Sequence, residues 1–164
     1  MKEIILADKQ HIAVVNDEDY ELVKDYSWYY NFGYAITKIT TGLKCPKQYS
    51  LPMHRLILKL NKGINQVDHI NGNGLDNRRH NLRLCTTSQN AANRKVHIKK
   101  YKEHLYKGVY YERTMNRKKR WRARIEVNNK KIDLGMYFNQ ETAAIAYNYA
   151  AIKYFGEFAK LNII

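Results

Sequence analysis

Apolar residues along this chain fall in short packets between polar runs, and the period inside each packet names an element. KEIILA and HIAVV, split by the polar DKQ, predict two short strands. In DEDYELVKDYSW, Tyr20, Val23 and Tyr26 fall roughly on one face, which predicts a short helix capped by Asn16 or Asp17. GYAITKIT and KQYSL read as the arms of a hairpin around Thr41-Gly42. Pro52 suits a first helical turn and opens MHRLILKL, where Met53, Leu56, Ile57 and Leu60 follow the i, i+3, i+4, i+7 spacing of a core-facing helix. His54 on that helix reads as a hydrogen-bonded or polar-edge histidine rather than a ligand. QVDH, INGNGLDNRRHN, LRLCT and TSQNAAN then predict strand, hairpin, strand and a short helix capped by Thr87 or Ser88.

A polar, basic stretch, RKVHIKKYKEH, follows without Gly or Pro and reads as a linker or extended helix. Beyond it YKGVYYE, RWRARIEV and KKIDLGMYF predict three strands. Trp121, Ala123, Ile125 and Val127 alternate with Arg122, Arg124 and Glu126, so one face of this sheet is apolar and the other presents Arg. Asn139 should cap QETAAIAYNYAAIKYFG, whose stripe of Ala143, Ala146, Tyr147, Ala150 and Tyr154 allows close packing on the sheet before Gly156 stops the helix. Trp121, Tyr137 and Phe138 are expected in that core. The fold class is therefore α+β, with one unit at 1–94, a basic linker at 95–104 and a second unit at 105–164.

Charge changes the picture. The chain carries 29 Lys and Arg against 15 Asp and Glu, a formal +14. Residues 1–67 hold 9 basic and 7 acidic side chains; residues 68–164 hold 20 and 8. Between Arg94 and Arg124 there are 13 basic and 2 acidic residues. A field this local favours a polyanion, nucleic acid first. Interleaving with strand-like alternation speaks against a membrane surface, which favours basic amphipathic helices. No apolar run reaches the roughly 18 residues of a membrane span, and the N-terminus lacks a signal-peptide layout. Cys45 and Cys85 are isolated, so an intracellular protein without a disulfide framework or a structural zinc site is expected.

The stretch VDHINGNGLDNRRHNLRLCTTSQN carries the chemistry. Asp68 offers a hard carboxylate oxygen and Asn90 an amide oxygen, a pairing that suits a magnesium-like ion over zinc. His69 is the side chain best suited to take a proton near neutral pH. Asn71, Gly72, Asn73 and Gly74 permit a tight turn, including positive φ. A divalent ion, a general base and a basic surface are the parts needed to hydrolyse a phosphodiester. An EF-hand does not fit, because Ile70 takes a ligand position, and no Gly-x-x-x-x-Gly-Lys loop is present.

DHINGN, DNRRHNLR and TSQN together closely resemble the HNH nuclease motif, the ββα-metal fold of many phage and intron homing endonucleases. A plain capped hairpin would not need four positions in register. The resemblance implies Asp68 as metal ligand, His69 as general base, Asn81 as the residue that braces the hairpin and helps fix the histidine, and Asn90 as the last motif letter. Asn90 in place of a second His makes this an HNN variant and points to oxygen ligation of Mg2+ or Mn2+. Asn77 and Asn93 match supporting positions, and His80 falls where an acidic residue is frequent. MHRLIL and the opening MKEI…VVNDEDYELV…W…GYA also look like phage-type members, which implies an infected bacterial cytoplasm.

YKGV, WRARI, LGMYF, ETAAIAYNYAAIKYFG and AKLN resemble the Apetala-two/ethylene-response-factor DNA-binding domain over about 58 residues. That family inserts its three-stranded antiparallel sheet, packed on one helix, into the major groove. Lys107, Tyr110, Glu112, Arg122, Arg124, Glu126, Lys131 and Asp133 then fall on the DNA side. Arg113 and the basic turn residues Arg117, Lys118, Lys119 and Arg120 join them as phosphate contacts. Tyr110, Glu112 and Asp133 replace residues of the plant pattern, so plant target sequences do not transfer. The combined expectation is a metal-dependent endonuclease on double-stranded DNA, homing-endonuclease-like, with no membrane and no small-molecule cofactor. A monomer with one site would nick; a dimer would cut both strands. The competing class is a non-cleaving DNA-binding regulator on an inactive scaffold of the same fold.

Overall fold

The computed structural model describes residues 1–41, 47–61, 66–94, 105–113 and 121–164. Gly42, Cys45, the linker at 95–104 and the basic turn with Arg117, Lys118, Lys119 and Arg120 lie outside the described residues. The fold is mixed α/β, with small antiparallel sheets and four α-helices among the described residues. It divides into two compact units, Met1–Cys85 and Thr86–Ile164. That division precedes the expected linker and leaves the TSQNAAN helix in the second unit.

In the first unit β1 (Lys2–Ile5) pairs with β2 (Ile12–Val15). Helix α1 (Asp17–Val23) ends earlier than its apolar spacing predicts. The reason is Trp28, which is buried and donates its indole Nε1 to the Val23 carbonyl at 2.9 Å, satisfying an acceptor that a helix end leaves open. Asn16 takes the N-cap position but makes no side-chain cap; its Oδ1 accepts instead from the Arg79 amide at 2.8 Å. A strand that the alternation does not signal, β3 (Tyr29–Asn31), pairs with β4 (Tyr34–Thr41), which pairs with β5 (Lys47–Pro52). Pro52 precedes α2 (Met53–Ile57), where Met53 and Ile57 are buried as the spacing predicts. The helix stops three residues short of Leu60, and Lys59 carries a positive φ of 52° that no helix continues. Strands β6 (Gln66–His69) and β7 (Leu82–Cys85) close the unit, and Val67 and Leu82 join Leu6, Val15, Trp28 and Met53 in one core.

The second unit begins with α3 (Thr87–Asn93). Its cap is Thr86, not Thr87 or Ser88: the Thr86 hydroxyl accepts from the Gln89 amide, and the Gln89 side chain accepts in return from the Thr86 amide. Ala92 on α3 is buried with Ile125, Tyr147 and Phe155, which is why this helix belongs with the C-terminal residues. Strands β8 (Val109–Tyr111), β9 (Trp121–Val127) and β10 (Lys130–Tyr137) form an antiparallel sheet with β9 central, and α4 (Gln140–Phe155) packs on its Ala123 and Ile125 face. Asn139 caps α4 by accepting from the Thr142 amide at 2.8 Å. The buried stripe is Ala143, Ala144, Tyr147, Ala150, Ala151 and Phe155. Tyr154, expected inside, is exposed, and Phe155 is buried instead, because the face that packs on the sheet is centred toward Ala144, Tyr147 and Ala151 rather than on Ala146 and Ala150. Phe138, also expected inside, is exposed just past the end of β10, where the pleat no longer directs it to the core.

Candidate active site

Strand β6 delivers Asp68 and His69 to the start of a twelve-residue connection, Ile70–Asn81, that returns to β7 through a short 3-10 turn at Arg79–Asn81. Polar side chains build this loop. Asn81, buried, accepts from the Asn71 amide at 3.0 Å and donates to the Asn71 Oδ1 at 3.1 Å and the Asp76 carbonyl at 2.7 Å. Asn71 donates to Asp76 Oδ2 at 2.8 Å, and its own Oδ1 accepts from the Asn73 amide. Asp76 is buried and takes a two-point ion pair from Arg78, with Nε to Oδ1 and the guanidinium NH2 to Oδ2 both at 2.7 Å. That guanidinium, with the Asn71 amide in support, holds the Asp76 carboxyl below its ordinary range. Gly72 uses its freedom at φ +71°. Gly74 is needed for a different reason: a Cβ there would fall on the Gly33 carbonyl and within 2.6 Å of the Tyr34 ring.

The loop is also pinned from outside. Val14 on β2 donates to the Leu75 carbonyl and accepts from the Asn77 amide, both at 2.8 Å. Arg79 reaches back to the buried Asp19 of α1, its guanidinium NH2 2.6 Å from Oδ1 and its Nε 2.9 Å from Oδ2. Asp68 lies opposite Arg83 in the β6–β7 register, and Arg83 directs Nε and NH2 to Asp68 Oδ2 at 2.9 and 2.8 Å.

His69 is 5% exposed. Its Nε2 lies 3.5 Å from Asn77 Oδ1, and Asn77, fully buried, donates its own Nδ2 to the Leu75 carbonyl at 3.1 Å. The amide beside the imidazole is thus Asn77, while Asn81 spends its groups on the loop. Two further rings touch His69: His54 edge-on at 5.1 Å between centroids and Tyr34 at 5.7 Å. Burial pushes the His69 pKa down, against the opposing pull of the Asn77 bond and the Asp68 and Asp76 carboxylates, so the imidazole favours its neutral form. His54 is pushed further, to about 3, by burial, then by His69 and Arg55.

The HNH endonuclease family model matches residues 52–92, from the end of β5 through β6, the loop, β7 and most of α3. An uncharacterized HNH endonuclease of Acanthamoeba polyphaga mimivirus is 31% identical over 163 residues, covering 95% of this chain and 77% of its own.

The chain belongs to the HNH endonuclease family.

This HNH endonuclease is therefore an enzyme, a DNA endonuclease. Of its expected site residues, the structure brings Asp68, His69, Asn77 and Asn81 together in the first unit. Asn90, half-buried, and Asn93, buried, stand on α3 in the second. Among the described residues no group of three His, Cys, Asp or Glu gathers to hold a metal. Asp68 offers a carboxylate oxygen and Asn90 an amide oxygen, each a hard donor of the kind divalent ions such as Mg2+ take.

On the second unit's sheet the expected DNA-facing residues differ in what they are doing. Arg122 is 19% exposed, pairs with Glu112 Oε1 at 3.0 Å, and has its Nε 3.4 Å from Asp133 Oδ2. Lys107 turns its ammonium to the C-terminal carbonyls of α3, donating to Arg94 at 2.9 Å, Ala91 at 3.2 Å and Ala92. Burial, with Arg94 and Lys160 nearby, pushes the Lys107 pKa down to about 8. Arg124 is half-buried, while Tyr110, Arg113 and Lys131 are exposed. The sequence pattern assigns no role to Asp76, Arg83, Asp19 or Tyr34. A charged residue beside a motif position, as Arg83 and Asp76 are, is the one signal it offers; Tyr34 has none.

Proposed function

We propose that this enzyme is a metal-dependent nuclease that hydrolyses phosphodiester bonds of duplex DNA at a preferred site, as homing endonucleases do, and that each chain makes one nick. The observation that carries the reading is a buried imidazole adjoining a buried carboxylate at the end of a strand, against a loop locked by its own amides.

In this reading β6, β7 and α3 form the ββα-metal unit, with Asp68 and Asn90 as ligands to Mg2+ or Mn2+. The bound ion would stabilise charge on the phosphate and the departing oxygen. His69 is the general base. Asn77 Oδ1 beside Nε2 helps orient the ring, and the imidazole removes the proton from the attacking water. Burial keeps that ring uncharged near neutral pH. Arg83 fixes the Asp68 carboxylate, and Asn81 holds the loop that follows both residues. Preorganisation of this kind spares the reaction the cost of arranging the groups.

Residues 105–164, joined by the basic linker at 95–104, act as an Apetala-two/ethylene-response-factor-like DNA-binding domain. The β9-centred sheet backed by α4 supports that reading. Arg124, Tyr110, Arg113 and Lys131, with Arg117, Lys118, Lys119 and Arg120 of the first turn, contact DNA. Arg122 orders the sheet face through Glu112 and Asp133, and Lys107 steadies α3. Asn93 is a supporting residue.

The test is incubation of supercoiled plasmid with Mg2+, Mn2+ or chelator, wild type beside His69→Ala. Open circles from wild type alone, dependent on metal, are expected, with at least a roughly hundredfold loss in the variant at unchanged DNA affinity. Cleavage by His69→Ala near the wild-type rate would reject the assigned base. Linear product would replace the nick by paired cuts.

A further inference from the structure

The β3–β4 hairpin turns through two residues, Phe32 and Gly33, between the paired Asn31 and Tyr34. Both turn residues have positive φ, 45° and 90°. A two-residue hairpin turn of this hand favours Asn-Gly or Asp-Gly, because an L-residue with a bulky side chain is strained there. Phe32 occupies the strained position and is 93% exposed. Neither the backbone strain nor the exposed ring helps the fold, and such a combination is a pointer to function. Tyr29 and Tyr30 on the adjoining strand are also exposed, on opposite faces, with Tyr30 stacked on His11 at 3.7 Å, so Phe32 alone projects from the tip.

The tip is held against the catalytic loop. Gly74 leaves no room between itself and the Gly33 carbonyl, and the Tyr34 ring packs on His69 at 5.7 Å and on His54 at 5.8 Å. Phe32 precedes Tyr34 by two residues, a span of at most roughly 7 Å of chain. A phosphate presented to His69 therefore places its neighbouring bases within reach of the Phe32 ring.

We propose that Phe32 is a stacking wedge that presses its ring between bases of duplex DNA beside the scissile phosphate. The proposal rests on reading the Asp68–His69 loop as a nuclease centre acting on duplex DNA. Apolar side chains at protein tips unstack base steps and kink the duplex in this way, and every base offers a π-face to an aromatic ring. Unstacking would open the backbone around one phosphate and set which bond is cut, so the wedge also acts on site choice.

The experiment compares Phe32→Ala, Phe32→Asn and Phe32→Trp with wild type in nicking rate, thermal unfolding and permanganate reactivity of thymines in bound duplex fragments. Permanganate attacks unstacked thymines and needs no cleavage, so a His69→Ala background serves for it. Phe32→Asn, which suits the turn, should raise Tm while lowering kcat/KM at least tenfold; Phe32→Trp should keep most activity. Thymine reactivity seen with His69→Ala should vanish when Phe32→Ala is added. Wild-type nicking and unchanged thymine reactivity in Phe32→Asn would overturn the wedge and leave the nuclease reading standing. Phe32-dependent unstacking by a protein that cuts nothing with either metal would keep the wedge and overturn the catalytic reading. Loss of a dimer in Phe32→Asn, with DNA behaviour unchanged, would make the ring a subunit contact instead.

Discussion

The loop at 70–81 and the C-terminal sheet with its helix are both compact, but they are held by opposite means. The loop at 70–81 buries Asn77, Asn81 and Asp76 and ties them by side-chain hydrogen bonds within the loop, those from Arg78 included, with backbone bonds to Val14 besides. The second unit buries Ala143, Ala144, Ala150, Ala151 and Phe155 of α4 against Ala123 and Ile125 of β9. Apolar packing is forgiving of identity as long as volume is kept. A buried amide network is not, because each lost partner leaves another polar group unsatisfied in a region without water to replace it. In the proposed function, holding the imidazole in one orientation gains from the second kind of construction, and presenting a surface to DNA needs only the first.

Substitutions can break that contrast. The largest effect should come from Asn81→Ala, which strands the Asn71 amide and the Asp76 carbonyl. Nicking should fall by about a hundredfold or more through misplacement of His69, with stability lowered by about 3 kcal/mol. Plasmid nicking and urea denaturation read both. If Asn81→Ala nicks normally, the network is ornament to catalysis. In the second unit Phe155→Ala should cost about 3–4 kcal/mol, whereas Tyr154→Ala next to it should stay within about 0.5 kcal/mol. Equal losses would mean the packed stripe is not the one described.

His54 sharpens the comparison through pH. Its folded pKa of about 3 lies below the ordinary histidine value of 6.5, so the unfolded chain binds the extra proton first. Stability conferred by the neutral ring is complete above pH 6.5 and declines as pH falls toward 3, by about 1.4 kcal/mol per unit at most. Urea midpoints of wild type and His54→Gln between pH 7 and 4.5 should converge or cross as pH drops; parallel curves would show that His54 takes up its proton in the folded state. The smallest effect is expected on the sheet. Arg124→Ala should reduce the slope of log affinity against log salt by about 1. Arg122→Ala should change it less, because its guanidinium already serves Glu112 and Asp133. An equal drop for both would place Arg122 on phosphate despite those pairs.

Much of the second unit is legible in the amino-acid pattern alone. The alternation in RWRARIEV, the Asn139 cap and the Gly156 stop are local signals, each satisfied within a few residues, and strands β9 and β10 and helix α4 follow them closely. The match to the HNH family model over residues 52–92 is legible for the same reason: a motif is a short-range record. The early end of α1, by contrast, depends on where the Trp28 indole lands, and the Thr86 cap depends on the reciprocal reach of Gln89.

By itself, then, the sequence determined the kind of protein, most of its strands and its longest helix, and it singled out the Asp68-His69 pair proposed for the chemistry, since periodicity and motif spacing act over a few residues. Only the tertiary structure decided that Asn77 is the amide beside His69, that Arg83 takes the Asp68 carboxylate, that Arg79 anchors on Asp19 sixty residues away, and that Tyr34 and His54 close over the imidazole. Those contacts join residues far apart in the chain. Many polar partners are compatible with the same pattern, and packing in three dimensions selects among them.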